Sequence, residues 1–192
     1  MRTSNQKRRT NETDITLELN LDGTGKTEIS TGVGFFDHML TALGRHSGFD
    51  LSVNAKGDLD VDGHHTIEDV GIVLGQAFKE AIGDKVGITR YGTATIPMDE
   101  ALAQASIDIS GRAYLVFDAD FSAGLIGALD TQMIAEFFRA FATNAEITLH
   151  INLLYGENDH HRAEAIFKAF AHALKKAAKV DGDTLLSTKG TL

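Results

Sequence analysis

The chain has 192 residues, 43% of them hydrophobic, and a formal net charge of −9. That acidity excludes a general nucleic-acid binder, and the lack of cysteine excludes disulfides, thiolate metal sites and thiol catalysis. Any metal site must use His, Asp and Glu, which favours Mn, Fe or Zn in a nitrogen and oxygen environment.

Residues 1–11 are polar and basic and read as disordered or as an edge strand. From Ile15 to Leu21 apolar and polar residues alternate with period two, the pattern of a half-buried strand. Asp22–Gly25 is a turn, and Lys26–Thr31 reads as the returning strand of a hairpin. Phe35–Leu43 reads as a helix with Phe36, Met39, Leu40 and Leu43 on one face, and it carries His38. Phe49–Val53 is a strand. A helix opened by His64 and His65 follows, apolar at Val70, Val73, Leu74, Ala77, Phe78, Ala81 and Ile82.

The second half restates this order. Ala94–Met98 reads as a short strand, with Pro97 placing it at an edge or strand end. Ala101–Ile109 alternates with one slip, Ser110–Arg112 turns, and Ala113–Phe117 reads as the returning strand. Phe121–Asp130 reads as a loop, Thr131–Phe141 as a helix and Ile147–Leu153 as a strand. A last helix starts at Asn158 or Asp159 as cap, with Ile166, Phe167, Phe170, Ala173 and Leu174 at helical spacing. The tail from Val180 is polar. Hairpin, helix, strand, helix thus occurs twice, which predicts an internal duplication. Residues 1–88 and 89–192 are the two α+β repeats, forming one catalytic domain. No apolar run approaches the ~20 residues of a membrane span, and the N-terminal residues lack an apolar signal core. A cytoplasmic protein with no membrane partner is expected.

The chemistry concentrates at two helix starts. His64-His65-x-x-Glu68 and His160-His161-x-x-Glu164 repeat one motif. The first histidine and the glutamate are i, i+4 and share a face, while the second histidine points about 100° away. Adjacent histidines therefore serve different metals. Aligning the repeats sets Glu136 opposite His38. Eight candidate ligands result, in two equivalent sets. One consistent partition is His38, His65, His160 and Glu164 for one ion and Glu136, His64, Glu68 and His161 for the other. Arg90, Arg112, Lys168, Ser187 and Lys189 offer a basic and polar set for an anion such as phosphate.

Several motifs together closely resemble the imidazoleglycerol-phosphate dehydratase family. They are Phe35-Phe-Asp-His-Met-Leu, Gly63-His-His-Thr-Ile-Glu-Asp, Pro97-Met-Asp-Glu-Ala-Leu, Asp108-Ile-Ser-Gly-Arg, Leu149-His, Asn158-Asp-His-His-Arg-Ala-Glu-Ala-Ile-Phe-Lys and Ser187-Thr-Lys-Gly. The resemblance runs from Arg9-x-x-Glu12 to Lys189. Glu136 departs from it, since some members have histidine there, though glutamate still offers a ligand oxygen.

The resemblance implies a duplicated α+β fold of the kind seen in domain 2 of ribosomal protein S5. Each half is a mostly antiparallel sheet with two helices on one face. It further implies self-association into a shell of twenty-four subunits, with two manganese ions per active site between subunits. The substrate would be imidazoleglycerol phosphate, dehydrated in histidine biosynthesis to imidazoleacetol phosphate. Glu12, Arg90, Arg112, Lys168, Ser187 and Lys189 match substrate-contacting positions, with His64, His65, Glu68, His160, His161 and Glu164 beside them. Glu12, Glu68 and Glu164 are the candidate catalytic carboxylates.

The chemistry agrees with two metals. The carbon acid is weak, and an imidazole ring that has lost its N–H proton can expel the neighbouring hydroxyl. Two ring nitrogens on opposite sides call for two Lewis acids, and a carboxylate such as Glu12 can take the carbon proton. The competing expectations are a dinuclear hydrolase of a small phosphate ester and a non-enzymatic metal-binding shell.

Overall fold

The computed structural model describes residues 1–191. The first half runs β1 (Thr3–Arg9), β2 (Thr13–Asn20), β3 (Thr27–Ser30), α1 (Gly34–Ser47), β4 (Asp50–Gly57) and α2 (His64–Ile82). The second runs β5 (Tyr91–Met98), β6 (Ala101–Asp108), β7 (Tyr114–Asp118), the small pair β8 (Leu125–Ile126) and β9 (Leu129–Asp130), α3 (Gln132–Ala145), β10 (Thr148–Tyr155) and α4 (Asp159–Ala178). The two four-stranded sheets share one plan, ordered β1-β2-β4-β3 and β5-β6-β10-β7. The duplicated α+β architecture is thus present, and the polar N-terminus is an edge strand, paired antiparallel with β2.

Both expected hairpins are corrected. β3 pairs parallel with β4 rather than with β2, and β7 pairs parallel with β10 rather than with β6. The reason is local. Strands joined through a helix, as β3-α1-β4 are, become parallel neighbours by a crossover. β4 buries Leu51, Val53 and Ala55 on one face and takes the inner position. Short, half-exposed β3 is left at the edge. Asp50 fixes the chain before β3, its Oδ1 accepting from the N–H groups of Thr24 (2.8 Å) and Lys26 (2.9 Å). The slip in β6 also resolves: Ala101, Ala103, Ala105 and Ile107 face inward and Leu102 outward. The expected loop at 121–130 contains the β8–β9 pair.

The helices lie between the sheets. α2 packs on β1 and β2 and against α3, while α4 packs on β5 and β6 and against α1. Seven phenylalanines, Phe36, Phe78, Phe137, Phe138, Phe141, Phe167 and Phe170, form the centre, each under 2% exposed. Most meet edge-to-face or tilted, as between Phe137 and Phe138 (5.1 Å) and Phe138 and Phe170 (5.1 Å), while Phe137 and Phe167 stack (5.5 Å). Such pairs add about 0.5–1.5 kcal/mol each beyond burial.

β5 crosses α4 so closely that position 92 has no room for a side chain. A Cβ on Gly92 would stand 2.0 Å from the Ala173 carbonyl oxygen. Gly92→Ala must push the strand off the helix that carries three of the eight histidines. A loss of about 1–3 kcal/mol, the usual cost of overpacking, is expected. Thermal unfolding with Ala94→Ser as a control on the same strand checks it, and equal melting temperatures would show that the strand yields freely.

Candidate metal centre

α4 begins with its histidines already aimed. The Asn158 side chain caps the helix, accepting from the N–H groups of His160 (2.9 Å) and His161 (3.3 Å). Asp159 anchors the segment between β7 and β8, accepting from the N–H groups of Ser122 (3.1 Å) and Ala123 (2.6 Å) and from the Ser122 hydroxyl (2.8 Å). α1 is started by Asp37, which accepts from the Thr31 N–H (2.9 Å) and hydroxyl (2.5 Å). These two fixed helix starts bring His38 to α4.

His38 Nε2 lies 3.5 Å and His160 Nε2 3.3 Å from Glu164 Oε2. Ligand atoms of the three residues all lie within 4.8 Å of one another, and no other such cluster occurs among the described residues. Two imidazole nitrogens and a carboxylate oxygen on a common point suit a borderline divalent cation such as Mn(II) or Zn(II). The Phe35 ring stands edge-on to His160, 4.9 Å between centroids, and limits its rotation. Glu164 is only 10% exposed, and Lys168 Nζ lies 2.6 Å from its Oε1. Burial alone would raise the carboxyl pKa, but the Lys168 hydrogen bond and charge, with His38, hold it below the ordinary value. Glu164 is therefore ionised at neutral pH.

The second histidine of each motif points elsewhere. His65 has Nδ1 2.9 Å from Asp58 Oδ2 and Nε2 3.8 Å from Glu12 Oε1. His161 has Nδ1 2.7 Å from Glu100 Oε2 and Nε2 3.6 Å from Asp99 Oδ2. Both imidazoles are held above the usual histidine pKa, chiefly by those Nδ1 hydrogen bonds. Glu100 is pushed down to about 2 by the Asn158 N–H, the His161 hydrogen bond and the Glu157 N–H. His46 and His172, whose rings meet at 3.3 Å between α1 and α4, are shifted the other way, first by burial and then by lysine charges.

These directions can be tested together. In metal-free protein, histidine NMR titrations should place the midpoints of His65 and His161 above ~6.5 and those of His46 and His172 below it. By linkage, the first two contribute stability that is complete below ~6.5 and lost as pH rises through their raised values. The reverse ordering of midpoints would show that the ring contacts do not persist in solution.

The remaining predicted residues divide. His64 and Glu68 sit 3.9 Å apart on the exposed start of α2, and Glu136 is turned to Arg139 at 3.2 Å. Within one chain, Glu136 joins no histidine, and His65 does not join His38. Arg90 is bidentate to Asp108 (2.7 and 3.1 Å) and donates to the Leu186 carbonyl (2.6 Å), which draws Ser187 toward it. Its backbone, at φ 69°, is strained for an arginine. The Arg112 guanidinium has no partner among the described residues, and Lys189 is exposed. Sequence reasoning missed Asp58, Asp99 and Glu100, although the last two lie in the quoted Pro-Met-Asp-Glu turn between β5 and β6. A concavity of about 490 Å³ is lined by Asn5, Glu18, Lys26, Glu28 and Ser52 on the outer sheet face, with no histidine. The histidines form an open surface.

Comparison with known proteins is consistent along the whole chain. The family model described as imidazoleglycerol-phosphate dehydratase matches residues 31–174. A protein of that name from Methanosarcina mazei is 58% identical over 192 residues, covering 100% of both chains. Crystal structures of the dehydratase from Staphylococcus aureus (TM-score 0.84, 45% identity, 94% of this chain and 99% of that one) and from Pyrococcus furiosus (0.85, 39%, 97% and 100%) have the same fold.

Proposed function

The chain belongs to the imidazoleglycerol-phosphate dehydratase family, hydro-lyases of histidine biosynthesis, and we propose that it dehydrates its substrate with two divalent metals, Mn(II) foremost. The observation that carries the metal reading is the convergence of His38, His160 and Glu164 within 4.8 Å. His65 would join this set from a neighbouring copy. Glu136, His64, Glu68 and His161 would form the second.

When bound, the metals supply Lewis acidity to the two nitrogens of the substrate ring. The chain supplies the rest. The imidazole side chains orient the ring between them, and Phe35 keeps His160 in position. The hydroxyl lost is the one on the carbon attached to the ring. The proton lost is on the neighbouring carbon, which bears the second hydroxyl. Glu12, whose Oε1 is 3.8 Å from His65 Nε2, stands at the edge of this set and takes that proton as general base. The resulting enol becomes the ketone of 3-(imidazol-4-yl)-2-oxopropyl phosphate. Arg112 and Lys189, both exposed, bind the phosphate. Arg90 is committed to Asp108, so it acts in part by holding the tail with Ser187 near the site.

The test is metal-dependent conversion of imidazoleglycerol phosphate, followed by product absorbance. Arg112→Ala should raise KM by roughly 10- to 100-fold, the loss of one charge-assisted hydrogen bond of ~1.5–3 kcal/mol, at unchanged metal content. Wild-type protein that binds Mn(II) and the phosphate but releases no ketone would reject the dehydratase reading. An unchanged KM would remove Arg112 from the site.

A further inference from the structure

The two histidines that point away from the His38 cluster share an arrangement that the eight-ligand scheme leaves unexplained. In each, Nδ1 meets a carboxylate at hydrogen-bond distance, 2.9 Å for His65 and Asp58 and 2.7 Å for His161 and Glu100. An ionised carboxylate can only accept. In the neutral ring that binds metal the proton must therefore sit on Nδ1, which leaves the Nε2 lone pair free. That is the tautomer a ligand nitrogen needs.

The two carboxylates are not equivalent in the duplication. Asp58 comes from the loop between β4 and α2, seven residues before its histidine. Glu100 comes from the turn between β5 and β6, 61 residues before its own. In the second repeat, the loop before α4 sends backbone instead: the N–H groups of Glu157 and Asn158 donate to Glu100 Oε1 at 3.1 and 2.8 Å. One geometry is thus reached by two routes. A chance packing contact in one repeat would not be reproduced by an unrelated residue in the other.

We propose that Asp58 and Glu100 are positioning residues that fix the tautomer and ring orientation of His65 and His161, presenting each Nε2 to a divalent metal. This rests on the metal reading above. Glu100 also ties the β5–β6 turn to the start of α4, so its substitution disturbs more than one contact. Asp58 is the cleaner case. Its Oδ1 is buried without a hydrogen-bond partner, and the side chain's one hydrogen bond is to His65. A carboxylate kept for stability alone would not be left half-satisfied. Loss of such an orienting partner weakens metal binding by about 10- to 100-fold.

The experiment uses the full-length protein, stripped with chelator and titrated with Mn(II), followed by electron paramagnetic resonance and calorimetry. Wild type should take up two Mn(II) per chain. Asp58→Asn should weaken one position about 10- to 100-fold, and Glu100→Gln the other, with Asp58→Ala at least as severe as Asp58→Asn. Ring ¹⁵N shifts of His65 in metal-free Asp58→Ala, which removes the acceptor, should show loss of the Nδ1–H tautomer, a change that a merely structural role would not produce. The metal-free melting temperature of Asp58→Asn should match wild type at a pH above the His65 midpoint, where the charged imidazole no longer adds stability. Unchanged Mn(II) affinity and unchanged His65 shifts would overturn the orienting role. A lowered melting temperature with full Mn(II) affinity would overturn it too, making Asp58 structural. Wild-type protein that takes up no Mn(II) would remove the metal reading itself, and the proposal with it.

Discussion

Glu164→Gln is expected to abolish measurable turnover and to weaken one metal position by more than about 100-fold, beyond what loss of a supporting residue costs. The carboxylate is the meeting point of the cluster, with His38 and His160 on Oε2 and Lys168 on Oε1. Its charge does two things. In the proposed centre it supplies a ligand oxygen, and it neutralises Lys168, whose side chain is only 17% exposed. Glutamine keeps the volume and a carbonyl that Lys168 can still donate to, so the metal-free fold should melt near the wild-type temperature. Glu164→Ala removes that acceptor as well. A half-buried ammonium is then left beside an incoming cation, and both metal affinity and metal-free stability should fall further. The measurements are metal content, turnover and thermal unfolding of the two variants side by side. Glu164→Gln protein with full metal content and turnover would remove this glutamate from the centre.

What the sequence revealed of this site follows from how each contact is encoded. His160 with Glu164 and His64 with Glu68 are written in helical spacing, so their shared faces could be read directly. His38 joined them through the repeat: one half of the chain served as a template for the other. The strand plan was less legible. Period-two alternation marks a strand but not its neighbour, and β3 and β7 were assigned to the strands next to them in sequence. The helix between each of them and its true partner held the information, because a crossover makes parallel neighbours. Asp58, Asp99 and Glu100 had no local signature at all. Their roles depend on where two turns come to rest against helix starts, which is a tertiary fact. Arg90 shows another tertiary contact without a local signature: Asp108, across the strand pair, engages it with two hydrogen bonds and fixes its guanidinium.

Stripping the metal is expected to dissolve the metal-linked assembly that we propose, along with the activity. A single chain gathers three of the eight candidate ligands, His38, His160 and Glu164. His65 and His161 present Nε2 toward acidic turns, not toward that cluster. The cluster is open, with the His38 side chain 49% exposed. A second copy of the chain is the natural source of the missing ligands, and an ion bridging two copies favours the assembled state by mass action. At a free metal concentration 100 times Kd, each site contributes about 2.7 kcal/mol, so two sites per chain contribute about 5 kcal/mol, comparable to the whole stability of a small domain. Chelator should therefore convert the proposed shell to small oligomers, and Mn(II) at neutral pH should rebuild it as turnover returns. Acid should act in the same direction. Ligand imidazoles bind only when neutral, and His65 and His161 hold their protons to higher pH than free histidine. Metal affinity should thus decline as pH falls, starting above the ordinary ~6.5. Light scattering during a chelator titration, run beside the dehydration assay at two pH values, reads mass and activity together. A shell that keeps its full mass when its metal is gone would show that protein contacts alone hold the copies together.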